Sequence, residues 1–94
     1  MIEIKIQPEP FEAWKNGVKR SEFRKLDRDY QVGHEVMLKE YKPKKEKGEP
    51  DSGGVFTGRG LKVEITYIEA GPAWGIPEGY GVLHCRNLGF INIK

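Results

Sequence analysis

The chain has 94 residues, room for one small domain, and its 16 Lys and Arg against 14 Asp and Glu leave a formal charge of +2, which excludes a histone-like polycation. Leu, Ile, Val and Phe supply 23 residues, enough for one compact core and too many for a disordered tail. No apolar run approaches the ~18 residues of a membrane span, and the lone Cys85 excludes an internal disulfide or a cysteine-rich zinc site.

Ile2, Ile4 and Ile6 alternate with polar residues, so Met1 leads into a half-buried strand rather than a secretory leader. Pro8 and Pro10 break that pattern and suit a first helical turn. Phe11 and Trp14 follow at helical spacing, and Asn16-Gly17 supplies a left-handed stop, which gives a helix of barely two turns. Arg20 to Leu26 reads as extended, with Phe23 facing away from Glu22 and Arg24. Val36 and Leu38 mark a strand through about Tyr41. Leu61, Val63, Ile65 and Tyr67 give the clearest alternation in the chain, and two last apolar segments run from Tyr80 to Arg86 and from Phe90 to Ile93. Lys42 to Gly60, rich in Lys, Gly and Pro, reads as a long solvated loop with a mobile part at 43–55. Five to six strands with one or two short helices predict a mainly β (α+β) domain, a small β-barrel spanning 1–94. The expectation is a soluble, cytoplasmic monomer.

Charge is segregated. Residues 15–28 carry Lys15, Lys19, Arg20, Arg24, Lys25 and Arg28 against Glu22 and Asp27, and residues 39–47 carry a second excess of lysine. Segregation of this kind can make a positive face on a nearly neutral protein, although a charge run is also what a solvated surface looks like.

Several chemistries find no support. His34 and His84 have no ligand-spaced partners, so no metal is expected. Gly53, Gly54, Gly58 and Gly60 resemble a phosphate loop only in composition, and no cofactor is implied. Cys85 sits in an apolar strand pattern and reads as a packed thiol.

The segment Gly17 to Arg24 stands out. Gly17 permits a sharp helix-to-strand turn, while Glu22 and Arg24, two apart on a strand, share a face. Lys19 lies just upstream. A carboxylate between two cations can preorganise a site for phosphate or a polar base, and it can equally be a surface ion-pair row. Gly17, Lys19, Glu22 and Arg24 fit the GxKxxExR pattern, and in this the chain resembles the ASCH domain of the PUA-like superfamily. Asp29 to Gly33 and Phe56 to Arg59 extend the likeness to a compact bacterial and phage subgroup, which commonly has Asp where His34 stands. The resemblance implies a PUA-like β-barrel with Gly17, Lys19, Glu22 and Arg24 beside a cleft, and binding of RNA or modified nucleosides.

Trp74, on a Gly- and Pro-rich loop, offers a π face to a base or folds back as a lid; Tyr80 is a core residue or a second wall of the cleft. Trp14 shares a helical face with Phe11 and is assigned to the core. The leading expectation is therefore an RNA- or nucleotide-binding module. A second is a hydrolase of modified nucleosides. Certain small ASCH proteins resemble acylcytidine amidohydrolases that use a Lys and a Thr three residues on. Here that Thr position is Glu22, which leaves Lys19 and Glu22 as an acid–base pair. A third is a protein-interaction module with no small ligand.

Overall fold

The alternating isoleucines form β1 (Ile2–Ile6), with Ile4 and Ile6 buried. The computed structural model describes residues 1–45 and 48–92, so the readings made above for Glu46, Lys47 and Ile93 lie outside the described residues. Pro8 and Pro10 sit in the first turn of α1 (Pro8–Lys15), where missing N–H groups cost nothing, and the Phe11 N–H reaches back to the Gln7 carbonyl at 2.9 Å. Gly17, at φ +77°, ends the helix, and the Val18 N–H returns to the Ala13 carbonyl at 2.9 Å. The chain then runs through β2 (Ser21–Lys25), β3 (Glu35–Lys42), β4 (Val55–Ala70) and β5 (Tyr80–Asn92).

The strands form one mixed sheet in the order β1-β3-β4-β5-β2, curled into a half-barrel. β1 runs parallel to β3, with Ile4 opposite Leu38, and the other neighbouring pairs are antiparallel. Val36 and Leu38 of β3, Leu61, Val63 and Ile65 of β4, and Leu83 of β5 join Ile4 and Ile6 in the core. Phe11 and Trp14, the largest fully buried side chains, pack α1 onto it. Burying each such ring stabilises the fold by about 1.5–3 kcal/mol, enough to hold a helix too short to persist alone.

β1 and β2 are the two outer strands, so they face one another across the open side of the half-barrel. Arg28, just beyond β2, closes part of that gap by donating from Nη1 to the Glu3 carbonyl at 2.6 Å.

Three irregularities depart from the sequence reading. β4 begins at Val55 rather than after Gly60, because Thr57, Gly58 and Arg59 bulge opposite the single residue Glu40, with Gly58 at φ +93°. Thr66 is an extra residue between the pairs Ile65–Cys85 and Tyr67–His84, so the alternation slips and Tyr67 turns outward, 60% exposed, instead of joining Ile65. The last two apolar segments are one strand, β5, which bulges at Leu88 with Gly89 at φ +151°.

The described part of the excursion between β3 and β4 is tied at its stem. Asp51 accepts from the Tyr41 hydroxyl at 2.7 Å and from the backbone N–H groups of Lys44 at 2.9 Å and Gly53 at 3.1 Å. Among the described residues no helix is long and apolar enough to cross a membrane.

Candidate functional site: an oriented carboxylate between two cations

β2 pairs antiparallel with β5, placing Glu22 opposite Leu83, Phe23 opposite Val82 and Arg24 opposite Gly81. Directly opposed residues share a face, and Leu83 is 1% exposed, so Glu22 and Arg24 point into the half-barrel while Phe23 points out. The helix end fixes what meets them there. The indole N–H of Trp14, anchored in the core, donates to Glu22 Oε1 at 3.3 Å. Lys19 Nζ lies 3.4 Å from the same oxygen, and Arg24 Nη1 lies 3.9 Å from Oε2.

The Glu22 side chain is 16% exposed, against 33% for Lys19 and 30% for Arg24. Pairs this wet add about 1 kcal/mol or less each, so their importance is orientation rather than stability. Glu22 is held by a core residue and in turn holds two cations with their outer sides open to solvent. Gly17 contributes backbone conformation only: a Cβ there would meet nothing within 4 Å, but its φ of +77° disfavours other residues.

The sequence reading placed these residues beside one cleft. The two cations of the row border different depressions. On the Lys19 side, about 360 Å³ is lined by Trp14, Gly17, Arg20, Cys85 and Arg86. On the Arg24 side, about 280 Å³ lies at the open seam between β1 and β2, lined by Arg28, Glu3, Lys5, Lys39 and Phe56. Arg24, Arg28, Lys5 and Lys39 thus line this depression against the single carboxylate of Glu3, which pairs with Lys39 at 3.6 Å. Their amines are steered by aromatic faces, with Lys5 Nζ 4.5 Å from the Tyr41 ring centroid and Lys39 Nζ 4.7 Å from that of Phe56. A larger hollow of about 720 Å³ around Ile2 and Gly33 carries mixed charge, Arg28 against Asp29 and Glu35, and lacks this convergence.

The other sequence candidates stand elsewhere. Tyr80 lies on the opposite face from Glu22, stacked on Phe23 with centroids 5.5 Å apart and planes 8° from parallel. Trp74 is 91% exposed at φ +51°, on the β4–β5 hairpin whose Gly79 carbonyl receives the Leu26 N–H, and it does not fold back as a lid. His84 meets Glu69 at 2.5 Å on the outer face. Cys85 faces the Lys19 depression, and burial, with Glu22 nearby, pushes its thiol up to about 11. Among the described residues no three of His, Cys, Asp and Glu converge as a metal-ligating group.

Sequence reasoning did not bring Lys5, Arg28, Lys39 and Phe56 together with Arg24, because only the strand order brings β1 and β2 to the same opening. It also missed Glu40, 3% exposed, which receives Arg59 and Thr57 from the bulge; the Arg59 guanidinium holds its carboxyl below the usual range. A lone Glu in an apolar strand pattern, opposite a Gly-containing segment with an Arg, was the available signal.

Residues 1–85 match the family model described as a domain of unknown function (DUF3850). A protein of Escherichia phage P2, described as "Uncharacterized 12.9 kDa protein in GpA 3'region", is 37% identical over 89 residues, covering 95% of this chain and 70% of that protein.

Proposed function

The chain belongs to the DUF3850 family, and we propose that its Lys19–Glu22–Arg24 row binds the phosphates of RNA or of a nucleotide. The observation that carries this reading is the placement of Glu22. One carboxylate, oriented by the buried Trp14, holds a cation on each side at the lip of a basic depression. A pair of donors held by one carboxylate and still open to solvent suits phosphate oxygens or a base carbonyl better than an unpaired lysine run does. The seam cations Lys5, Arg28 and Lys39 extend the positive surface from Arg24, and the exposed Trp74 ring stands on the hairpin that adjoins the same end of β2. The half-barrel and the GxKxxExR resemblance support the same reading, that of an ASCH-type, PUA-like binding module. Lys19 and Arg24 contact the ligand, and Glu22 positions them.

The test is the salt dependence of affinity for a short oligouridylate. For single strands log K falls with log salt by ~0.7 per phosphate neutralised. Lys19→Ala and Arg24→Ala should each weaken binding and lower the slope by about one such increment. Affinity that stays constant from low to high salt, or that neither substitution changes, contradicts the proposal.

A further inference from the structure

Arg24 and Arg28 line two hollows rather than one. Besides the seam depression, both border a second hollow of about 240 Å³ on the outer side of β2, where Phe23, Lys25, Asp27, Tyr30 and Tyr80 complete the wall. β2 is an outer strand, so no further strand separates the two hollows at this edge. The outer hollow has three cations, Arg24, Lys25 and Arg28, against the single carboxylate of Asp27. It also has a flat aromatic surface. Phe23 and Tyr80 lie nearly parallel, and Phe23 remains 53% exposed although Tyr80 covers part of it. Packing within the sheet accounts for the covered part alone.

We infer that a single-stranded nucleic acid crosses the edge of β2, with its phosphates on Arg24 and Arg28 and a base stacked on the Phe23–Tyr80 pair. The inference rests on the phosphate-binding role proposed for the inner row, and adds the strandedness of the ligand and a base contact. Charge favours this occupant, because cations flank the ring pair and a single strand supplies both an anionic backbone and a free π face. A duplex has its base faces stacked and cannot use the aromatic pair. The ring pair reads neither sugar nor sequence, so a deoxy oligomer competes with the ribo form at this contact.

The experiment measures affinity for a short oligouridylate, its deoxyuridylate counterpart and an RNA duplex of the same length, using wild type, Phe23→Leu, Phe23→Trp and Lys19→Ala. Phe23→Leu should lose about 5- to 150-fold toward both single strands, the equivalent of ~1–3 kcal/mol for one stacked base, with its salt slope unchanged. Phe23→Trp keeps a ring and should retain or improve affinity, which separates loss of stacking from any loosening of the strand. The duplex should bind wild type more weakly than either single strand. If Lys19→Ala weakens binding while Phe23→Leu does not, the inference falls and the inner-row proposal stands. If Phe23→Trp binds as poorly as Phe23→Leu, or the duplex binds as well as the single strands, the stacking contact is likewise overturned. If Lys19→Ala and Phe23→Leu both bind like wild type, the two readings fail together.

Discussion

Glu40 and Arg59 meet fork to fork: Arg59 Nε donates to Oε1 at 2.7 Å and Nη2 to Oε2 at 2.8 Å. The Thr57 hydroxyl adds a 2.5 Å bond to Oε1, and Arg59 Nη1 reaches Glu12 of α1 at 2.8 Å with its guanidinium over the Phe11 ring. One arginine thus ties the β3–β4 bulge to the helix whose Trp14 orients Glu22.

Arg59→Met should destabilise the fold by about 3 kcal/mol, because it leaves a carboxylate that is 3% exposed without its cation. Glu12→Ala, which removes a partner 47% exposed, should cost about 1 kcal/mol or less. Equilibrium urea unfolding distinguishes the two; equal effects would contradict the assignment of Glu40 as the buried member.

The same pair gives acid sensitivity of known sign. Arg59, and then Thr57, hold the folded pKa of Glu40 below its ordinary 4.5, so the native state binds fewer protons there than the unfolded chain. Its stabilisation is complete above about pH 4.5 and is lost as the pH falls through the lowered folded value. Glu40→Gln should be less stable at neutral pH and should lose less stability on acidification than wild type. Parallel stability curves across that acid range would contradict the account.

The sequence made β1, α1 and the β2 parity legible for physical reasons. Ile2 to Ile6 alternate strictly, Pro8 and Gly17 punctuate the helix, and a period of two puts Glu22 and Arg24 on one face wherever β2 lies. What stayed hidden depends on bulges and on long-range pairing. Gly58 looks like loop composition but makes a strand bulge that aims Thr57 and Arg59 at Glu40. Thr66 reverses the face of Tyr67, and no local pattern announces one extra residue in a strand. The seam cations needed the strand order, and the Trp14–Glu22 bond needed the turn geometry after the helix.

Cys85 should be a poor nucleophile in the folded protein. Burial, with Glu22 adding a like charge, raises the thiol from 9.0 to about 11, a depletion of thiolate of roughly 100-fold. Because a thiolate of higher pKa is also the better nucleophile, disulfide exchange with a small aromatic disulfide at mildly alkaline pH should be slower by about tenfold or more in the native protein than in urea. Native reactivity matching the unfolded rate would contradict the packing described for β5.

The central claim is that ligand contacts centre on the carboxylate held between Lys19 and Arg24. It is tested most directly by mapping amide chemical shifts during titration with a short oligouridylate. The account predicts that the largest shifts cluster on Lys19 to Lys25, with smaller ones at Lys5, Arg28 and Lys39, and that Glu22→Gln alters the pattern at Lys19 and Arg24. Shifts confined to the β3–β4 excursion around Lys44 and Lys45, with β2 silent, would contradict it.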